Sequence, residues 1–303
     1  MSLPEDYLSY PNRKHGQDID RYDWRAVGDR QKKSLPGGAC VGVSIVVPLE
    51  FFMLNPSGKP FKHPGAMQTP YPDLRHYTTR DYGNRVGAFR LLKAFREVKV
   101  KTTFAVNAAL LDRARPLIEA IAQDGHEIAA HGWDTNSIHW SGITPDQERN
   151  LVEKTRHAFE QAGLTPRSWL SPARQQSAAT PDLIREFGFD ICLDWEADTQ
   201  PLDMRTAHGD LTLFPLLNEL GDRFILSTKT HDEAQWRAQI LEAAAMMKTE
   251  GARYGAQVFG FTMTPYIAGQ PFRMWAVREI LSTLGADNDV NLSPVRDLTD
   301  ALT

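Results

Sequence analysis

Apolar residues in this chain come in short runs. The runs alternate with stretches whose apolar positions recur every three to four residues. "ACVGVSIVVPLEFF" predicts a buried strand ended by Pro48. "KTTFAVN", "HEIAAH", "RSWLS", "FDICLDW", "LTLFPLL" and "AQVFGFTMT" predict six more. Helical patterns lie between them. "DYGNRVGAFRLLKAFREVK" puts Val86, Phe89, Leu92 and Phe95 on one face. "AALLDRARPLIEAIAQDG" is closed by Gly125. "TPDQERNLVEKTRHAFEQAG" opens on Thr144 as N-cap with Pro145 in the first turn, and stops at Gly163. "TPDLIREFG", "HDEAQWRAQILEAAAMMKTEG" and "QPFRMWAVREILSTLG" complete the helices.

Strand–helix alternation from residue 40 to 285 predicts parallel βαβ units sharing one sheet, an α/β fold. Seven strands suit a closed barrel better than an open sheet. No G-x-G-x-x-G follows the first strand, which argues against a dinucleotide site. Residues 1–38 lack a period and read as an irregular arm on the barrel; residues 39–303 read as the barrel. Residues 55–80 hold five prolines and two glycines and read as one long loop, which in a compact domain is usually functional.

The 303 residues carry a net charge of −4 with no basic face, so nucleic acid is not an expected partner. No apolar run nears the roughly eighteen residues of a membrane span. The first twenty residues are polar without a hydrophobic signal core, so a cytoplasmic location is expected. Cys40 and Cys192 fall in strand-like runs and read as buried thiols rather than a disulfide.

In parallel barrels chemistry collects where the strands end. Those ends carry Glu50, Asn107, His131 (then Trp133 and Asp134), Ser171 with Arg174, Asp194 and Trp195 with Asp198 close behind, and Thr264 before Pro265. Glu50, followed by Phe51 and Phe52, is poorly solvated. Its pKa rises toward neutrality unless a cation answers it, which suits a general base; the alternative is a salt bridge to an arginine. Of three histidines within fourteen positions, His126 opens a strand on the opposite rim and reads as structural. His131 closes that strand and reads as an active-site group. His139 either folds over the pocket or lies at the surface. Arg174 steadies a carboxylate or an oxyanion, or pins a loop. Asp194 and Asp198 orient Arg174 or His131, or cap helices.

These residues carry a family resemblance. "YPNRKHGQDIDRYDW" with "LPGGACVGVSIVV", "RDYGNRVGAFRLLKAF", "GHEIAAHGW", "SWLSPARQQSAATPDLI", "DWEADTQPL" and "PYIAGQPFR" follow one another over some 250 residues. In that order they resemble the polysaccharide deacetylase (NodB-homology) superfamily, and within it the branch of cofactor-free allantoinases and related amide hydrolases. The resemblance implies a distorted (β/α)7 barrel, hydrolysis of a C–N amide bond, and a homo-oligomer, which the arm could serve by embracing a neighbour. Metal-dependent members use paired aspartates after strand one and an H-x-x-x-H pair. Here Phe51 stands in place of the metal carboxylate, Thr135 in place of the second histidine, and Thr264 in place of a late histidine before proline.

The departures leave no cofactor expected. A divalent metal such as zinc is the alternative, and it would draw on Glu50, His131 and His139. The leading expectation is metal-independent hydrolysis of a small amide, ureide or cyclic imide. Glu50 acts as general base, His131 and Arg174 stabilise the carbonyl oxygen, and Asp194 or Asp198 orients them. Tyr82 and Arg85, placed at a helix N-terminus, bind a carbonyl or anionic group of this small-molecule substrate. Trp133 and Trp195 supply flat walls, Thr264 lines the pocket, and His139 or His231 gives the leaving nitrogen its proton. The alternatives are a metal-dependent N-deacetylase of an acetamido sugar, and a divergent member that only binds a ligand or runs lyase or isomerase chemistry.

Overall fold

A computed structural model of the chain describes residues 19–57 and 72–303. Among them nine strands form: β1 (Val41–Leu49), β2 (Thr103–Val106), β3 (Glu127–Ala130), β4 (Ser168–Trp169), β5 (Ile191–Cys192), β6 (Leu202–Thr206), β7 (Gly209–Leu213), β8 (Gln257–Thr262) and β9 (Val290–Leu292). Their order is β6-β7-β5-β4-β3-β2-β1-β8, with β9 on the first residues of β1. β1 to β5, β7 and β8 are all parallel. A parallel bridge from Leu216, just past β7, to Gly260 of β8 curls the sheet onto itself. The expected seven-stranded barrel is therefore present. β6, antiparallel on β7, and β9 are additions that the hydrophobic pattern does not announce.

Eight α-helices accompany the strands: α1 (Leu74–Tyr82), α2 (Ala88–Glu97), α3 (Arg115–Gln123), α4 (Pro145–Gln161), α5 (Thr180–Glu186), α6 (Glu233–Tyr254), α7 (Met274–Ala286) and α8 (Val295–Leu302). No described helix is long and apolar enough to cross a membrane. Cys40 and Cys192 are free thiols.

Side chains of β1 alternate between two cores, as the two-residue period of a strand requires. Val41, Val43, Ile45, Val47 and Leu49 join the layer between sheet and helices. Val46 joins a second cluster inside the barrel with Ala105, Ala129, Leu170, Ile191, Leu193, Phe214, Leu216 and Val258. α8 contributes Val295, Leu298 and Leu302 to that inner cluster and stops the barrel at its N-terminal rim. The stopper is pinned by polar bonds: Glu127 accepts from the backbone N–H of Arg296 at 2.9 Å, and the Thr103 hydroxyl oxygen accepts from that of Val295 at 2.9 Å.

Local expectations fail in several places; the helix predicted from Ala108 begins only at Arg115, after a 3-10 turn over Ala108–Leu110. Pro48 does not end β1; it pairs with Ala105 inside the ladder. Even-numbered β1 residues turn their backbone groups to β8, as the bond from Met263 to the Val46 carbonyl shows, and β8 ends at Thr262, so proline forfeits no ladder bond there. The long loop predicted over 55–80 is interrupted by α1, capped by Asp73 accepting from His76 N–H at 2.9 Å; residues 58–71 lie outside the described set. Phe89 faces outward at 41 % exposure, while Ala88, Leu91, Leu92 and Phe95 form the buried face of α2.

Residues 19–38 lie against the barrel; 1–18 fall outside the described residues. Arg21 pairs with Asp182 at 2.6 Å, Leu35 is buried in the inner cluster, and the Lys33 carbonyl accepts from Ala256 at 2.8 Å.

Candidate active site

Strand parity decides which groups reach the barrel mouth. On β1 the inward positions continue from Val46 through Pro48 to Glu50; on β3 they run from Glu127 through Ala129 to His131. Glu127 thus serves the closed rim and His131 the open one. Glu50 Oε1 lies 3.8 Å from His131 Nε2, and both residues are buried. That separation is too long for a hydrogen bond between the two atoms.

Asn107, the fully buried residue after β2, sets this spacing. Its Oδ1 accepts from Phe51 N–H at 2.8 Å, its Nδ2 donates to the His131 carbonyl, and its own N–H donates to the Leu49 carbonyl at 3.0 Å. One side chain ties the ends of β1 and β3. Asn84 adds a bond from Nδ2 to the Glu50 carbonyl at 2.9 Å. His131 Nδ1 lies 2.8 Å from the Leu170 carbonyl; a carbonyl only accepts, so Nδ1 carries the proton and Nε2 of the neutral ring is an acceptor aimed at the mouth.

Arg223 answers Glu50. Its Nη2 donates to Glu50 Oε2 at 2.6 Å and lies 2.7 Å from the Tyr266 hydroxyl. Burial pushes the Glu50 carboxyl up, but the adjacent Arg223 charge, with His131 beyond it, outweighs burial and holds its pKa at about 2. The expectation of a carboxyl raised toward neutrality is thereby corrected, and the alternative of an arginine salt bridge holds. Burial drives Tyr266 up to about 12. Asp222, wholly buried, is raised by burial to about 6 although it accepts from Thr264 N–H at 2.7 Å, Thr264 Oγ1 at 2.9 Å and Ala268 N–H at 3.2 Å. Thr264, where the resembling family has histidine, is therefore anchored on Asp222.

The glycines of "YGNRVG" seat this arrangement. A Cβ at Gly83 would fall 2.8 Å from Tyr266 N, and one at Gly87 would fall 2.1 Å from the Pro265 carbonyl oxygen. Residues 83–87 form a π-helical turn between α1 and α2, so the motif lies within a continuous helical stretch rather than at its start. The anion-binding role given to Tyr82 and Arg85 at a helix N-terminus loses its basis. Tyr82 hydroxyl accepts from Arg90, and exposed Arg85 pairs with Asp81 at 3.6 Å.

A cavity of about 120 Å³ at the mouth is lined by Glu50, His131, Arg174, Arg223 and Thr264, among others. The structure thus brings together four residues singled out in the sequence or aligned beside them (Glu50, His131, Arg174 and Thr264) and adds Arg223. Arg174 follows Ala173; both have left-handed backbones, φ 54° and 55°, and the Arg174 guanidinium meets Glu196 at 2.7 Å. Strain of this kind is characteristic of functional loops.

Other sequence candidates lie elsewhere. The Asp194 carboxylate accepts from Ser171 N–H at 2.9 Å and Gln176 Nε2 at 2.5 Å, fixing the Arg174 loop, and its backbone carbonyl accepts from the Arg174 guanidinium at 3.2 Å. Asp198 pairs with Arg30 of the arm, beside Thr199 and Gln257 at the start of β8, on the wrong rim. Trp195 donates to Gln176 at 2.9 Å, and Trp133 carries Lys154 4.2 Å above its ring; neither lines the mouth cavity. His139, 1 % exposed, holds Glu148 at 3.2 Å through Nδ1 and packs edge-on against Trp169, so it is a core group. His231 bonds Gln239 at 3.0 Å on an exposed surface. His126 is a core histidine as expected: it accepts from Thr102 N–H at 3.1 Å between Phe95 and Phe104, and burial lowers its pKa to about 4.

The described residues do not fit a divalent ion. Of the positions that metal-dependent members use, Phe51 offers no donor, and the Thr135 hydroxyl is spent on the Phe51 carbonyl at 2.9 Å. The Asp134 carboxylate accepts Asn136 and Ser137 N–H at 2.9 and 2.8 Å. Glu50 already carries a guanidinium, and His139 points into the core. Zinc asks for three or four such donors; among the described residues the mouth offers one free imidazole nitrogen.

Comparison with known proteins agrees with the barrel. Residues 70–192 match the family model of polysaccharide deacetylases. A Schizosaccharomyces pombe protein, described as a candidate polysaccharide deacetylase, is 28% identical over 113 residues; the match spans about a third of that relative's length (34%) and 35% of this chain. The solved structure of Puue allantoinase superposes with a TM-score of 0.79 at 21% identity, covering 92% of this chain and 97% of that one. A candidate polysaccharide deacetylase of Pseudomonas aeruginosa PAO1 gives 0.77 at 22% identity with the same coverage. Residues 70–192 thus resemble the polysaccharide deacetylase family, and the barrel that carries them is shared with both solved structures along nine-tenths of the chain.

Proposed function

We propose that the chain hydrolyses the C–N bond of a small amide, ureide or cyclic imide without a resident metal, using a water held between Glu50 and His131. The observation that carries this reading is the 3.8 Å gap between Glu50 Oε1 and an imidazole nitrogen free to accept a proton. Glu50, held at about 2 by Arg223, is a poor proton acceptor, so the base assignment moves to His131. As the water oxygen bonds to the carbonyl carbon, one water proton passes to His131 Nε2. The ionised Glu50 stabilises the imidazolium. The same proton then goes to the departing nitrogen as the C–N bond breaks, which dispenses with a second histidine.

The charge on the carbonyl oxygen falls to the arginines at the mouth. Arg223 Nη2 is taken by Glu50 and Tyr266, but its Nη1 has no hydrogen-bond partner among the described residues. Arg174 lines the same cavity. Positioned donors of this kind do the work of a Lewis acid in a water-poor site. The match of residues 70–192 to polysaccharide deacetylases supports hydrolysis as the reaction type.

The test is product formation from a panel of cyclic imides, ureides and short amides. Glu50→Gln and His131→Gln are each expected to lower kcat by about 10²- to 10⁴-fold. Full turnover by either variant removes the proposal. Binding without product by the native protein replaces it with a ligand-binding barrel.

A further inference from the structure

We infer that a second cavity, sharing Glu50 with the mouth, receives the apolar body and anionic end of the substrate. This deepens the hydrolytic reading and rests on it for the reacting bond only. The cavity measures about 430 Å³, within the range of small-molecule sites. Phe51, Phe89, Leu110 and Leu117 line it, with Arg85 and Arg113 among its polar groups.

Phe89 is the first sign. It is 41 % exposed on a helix whose other apolar residues are buried, and the surface it exposes lines this cavity. Leu110 and Leu117, each 2 % exposed, give the wall rigid backing. Arg113 is the second. Its guanidinium lies 4.8 Å from the centre of the Phe51 ring, and among the described residues it makes no ion pair or hydrogen bond. The ring face holds the guanidinium by a cation–π contact and consumes none of its N–H groups.

Charge balance then selects the ligand. Asp81, also in the wall, is met by Arg85 at 3.6 Å, and Glu50 by Arg223 at 2.6 Å. Arg113 is left unanswered beside an apolar trough. Glu50 belongs to the walls of both cavities, so a ligand in the trough has its other end beside the reacting groups. The substrate class is an aryl or branched alkyl amide or ureide carrying a carboxylate or similar anion.

Binding of 3-phenylpropionate, set against neutral 3-phenylpropionamide, tests this by calorimetry and by inhibition of amide turnover. The acid is expected to bind about fivefold tighter, the size of a partly exposed ion pair. Arg113→Gln removes that preference and leaves the affinity for the amide unchanged. Phe89→Ala, at a position too exposed to threaten folding, weakens both ligands severalfold. Equal affinity for acid and amide, or a preference that survives Arg113→Gln, overturns the inference. If amides turn over while phenylpropionate neither binds nor inhibits, the cavity assignment falls and hydrolysis stands. If the Arg113-dependent preference is found but no amide is cleaved, hydrolysis falls and the cavity stands.

Discussion

Arg223 Nη2 sits 2.6 Å from Glu50 Oε2 across 173 residues of chain. The contact keeps ionised a carboxyl that burial alone would push toward its neutral form. Removing the arginine leaves a buried, uncompensated charge, which typically costs about 3–5 kcal/mol. Arg223→Met is expected to lose that much in chemical denaturation at pH 7. It should also shift the acid limb of the activity profile upward, because burial then governs Glu50. An unmoved acid limb contradicts the pairing.

Two buried carboxyls give stability an acid-side signature with opposite signs. Glu50 is depressed to about 2 from 4.5, so its contribution is full above the unfolded value and is lost as pH falls from about 4.5 to 2; its size is about 3 kcal/mol. Asp222 is raised to about 6 from 3.8, so the native state favours its protonated form, and this group's contribution grows as pH falls from about 6 to 4. Thermal melts across pH 4–7 should show the native protein gaining on Asp222→Asn as pH drops. A constant difference between the two refutes the assignment.

Asn107 acts by position, without touching the reacting atoms. Asn107→Ala orphans the Phe51 N–H and a bond to the His131 carbonyl, at about 1–3 kcal/mol for each buried group. kcat is expected to fall with KM little changed, since the water-holding pair loses its spacing. A variant with native kcat places the control of that spacing elsewhere.

Gly87→Ala puts a methyl 2.1 Å from the Pro265 carbonyl oxygen, a backbone atom that cannot yield cheaply. The expected cost is about 1–3 kcal/mol, with activity reduced through displacement of Tyr266 and Arg223. Urea denaturation and steady-state kinetics on one preparation check both.

The donor set at the mouth predicts indifference to chelators. Turnover after prolonged EDTA treatment is expected to match the untreated protein, and added zinc should not raise it. Loss on chelation with recovery on zinc overturns the metal-free route.

The sequence made the barrel legible because strand parity and helix caps are local. Glu50, Asn107 and His131 follow from counting in twos along β1, β2 and β3. Parity also explains the errors. Past His131 the chain turns at Gly132 (φ 59°), and Trp133 leaves the inward face. Asp198 lies far enough beyond β5 for the chain to return to the opposite rim. Arg223 and Asp222 were invisible for another reason. Arg223 opens and Asp222 caps a π-helical turn without period between β7 and α6, and their partners, Glu50 and Thr264, are distant in sequence. The only local hint is a charged pair after Gly221.

α8 has a kinetic corollary. With one end of the barrel stopped by Leu298 and its neighbours, the mouth beside Glu50 and Arg223 serves both reactant and product among the described residues. A carboxylate released by cleavage must leave alongside the guanidinium that attracts it. Carboxylate products should therefore compete directly with fresh substrate.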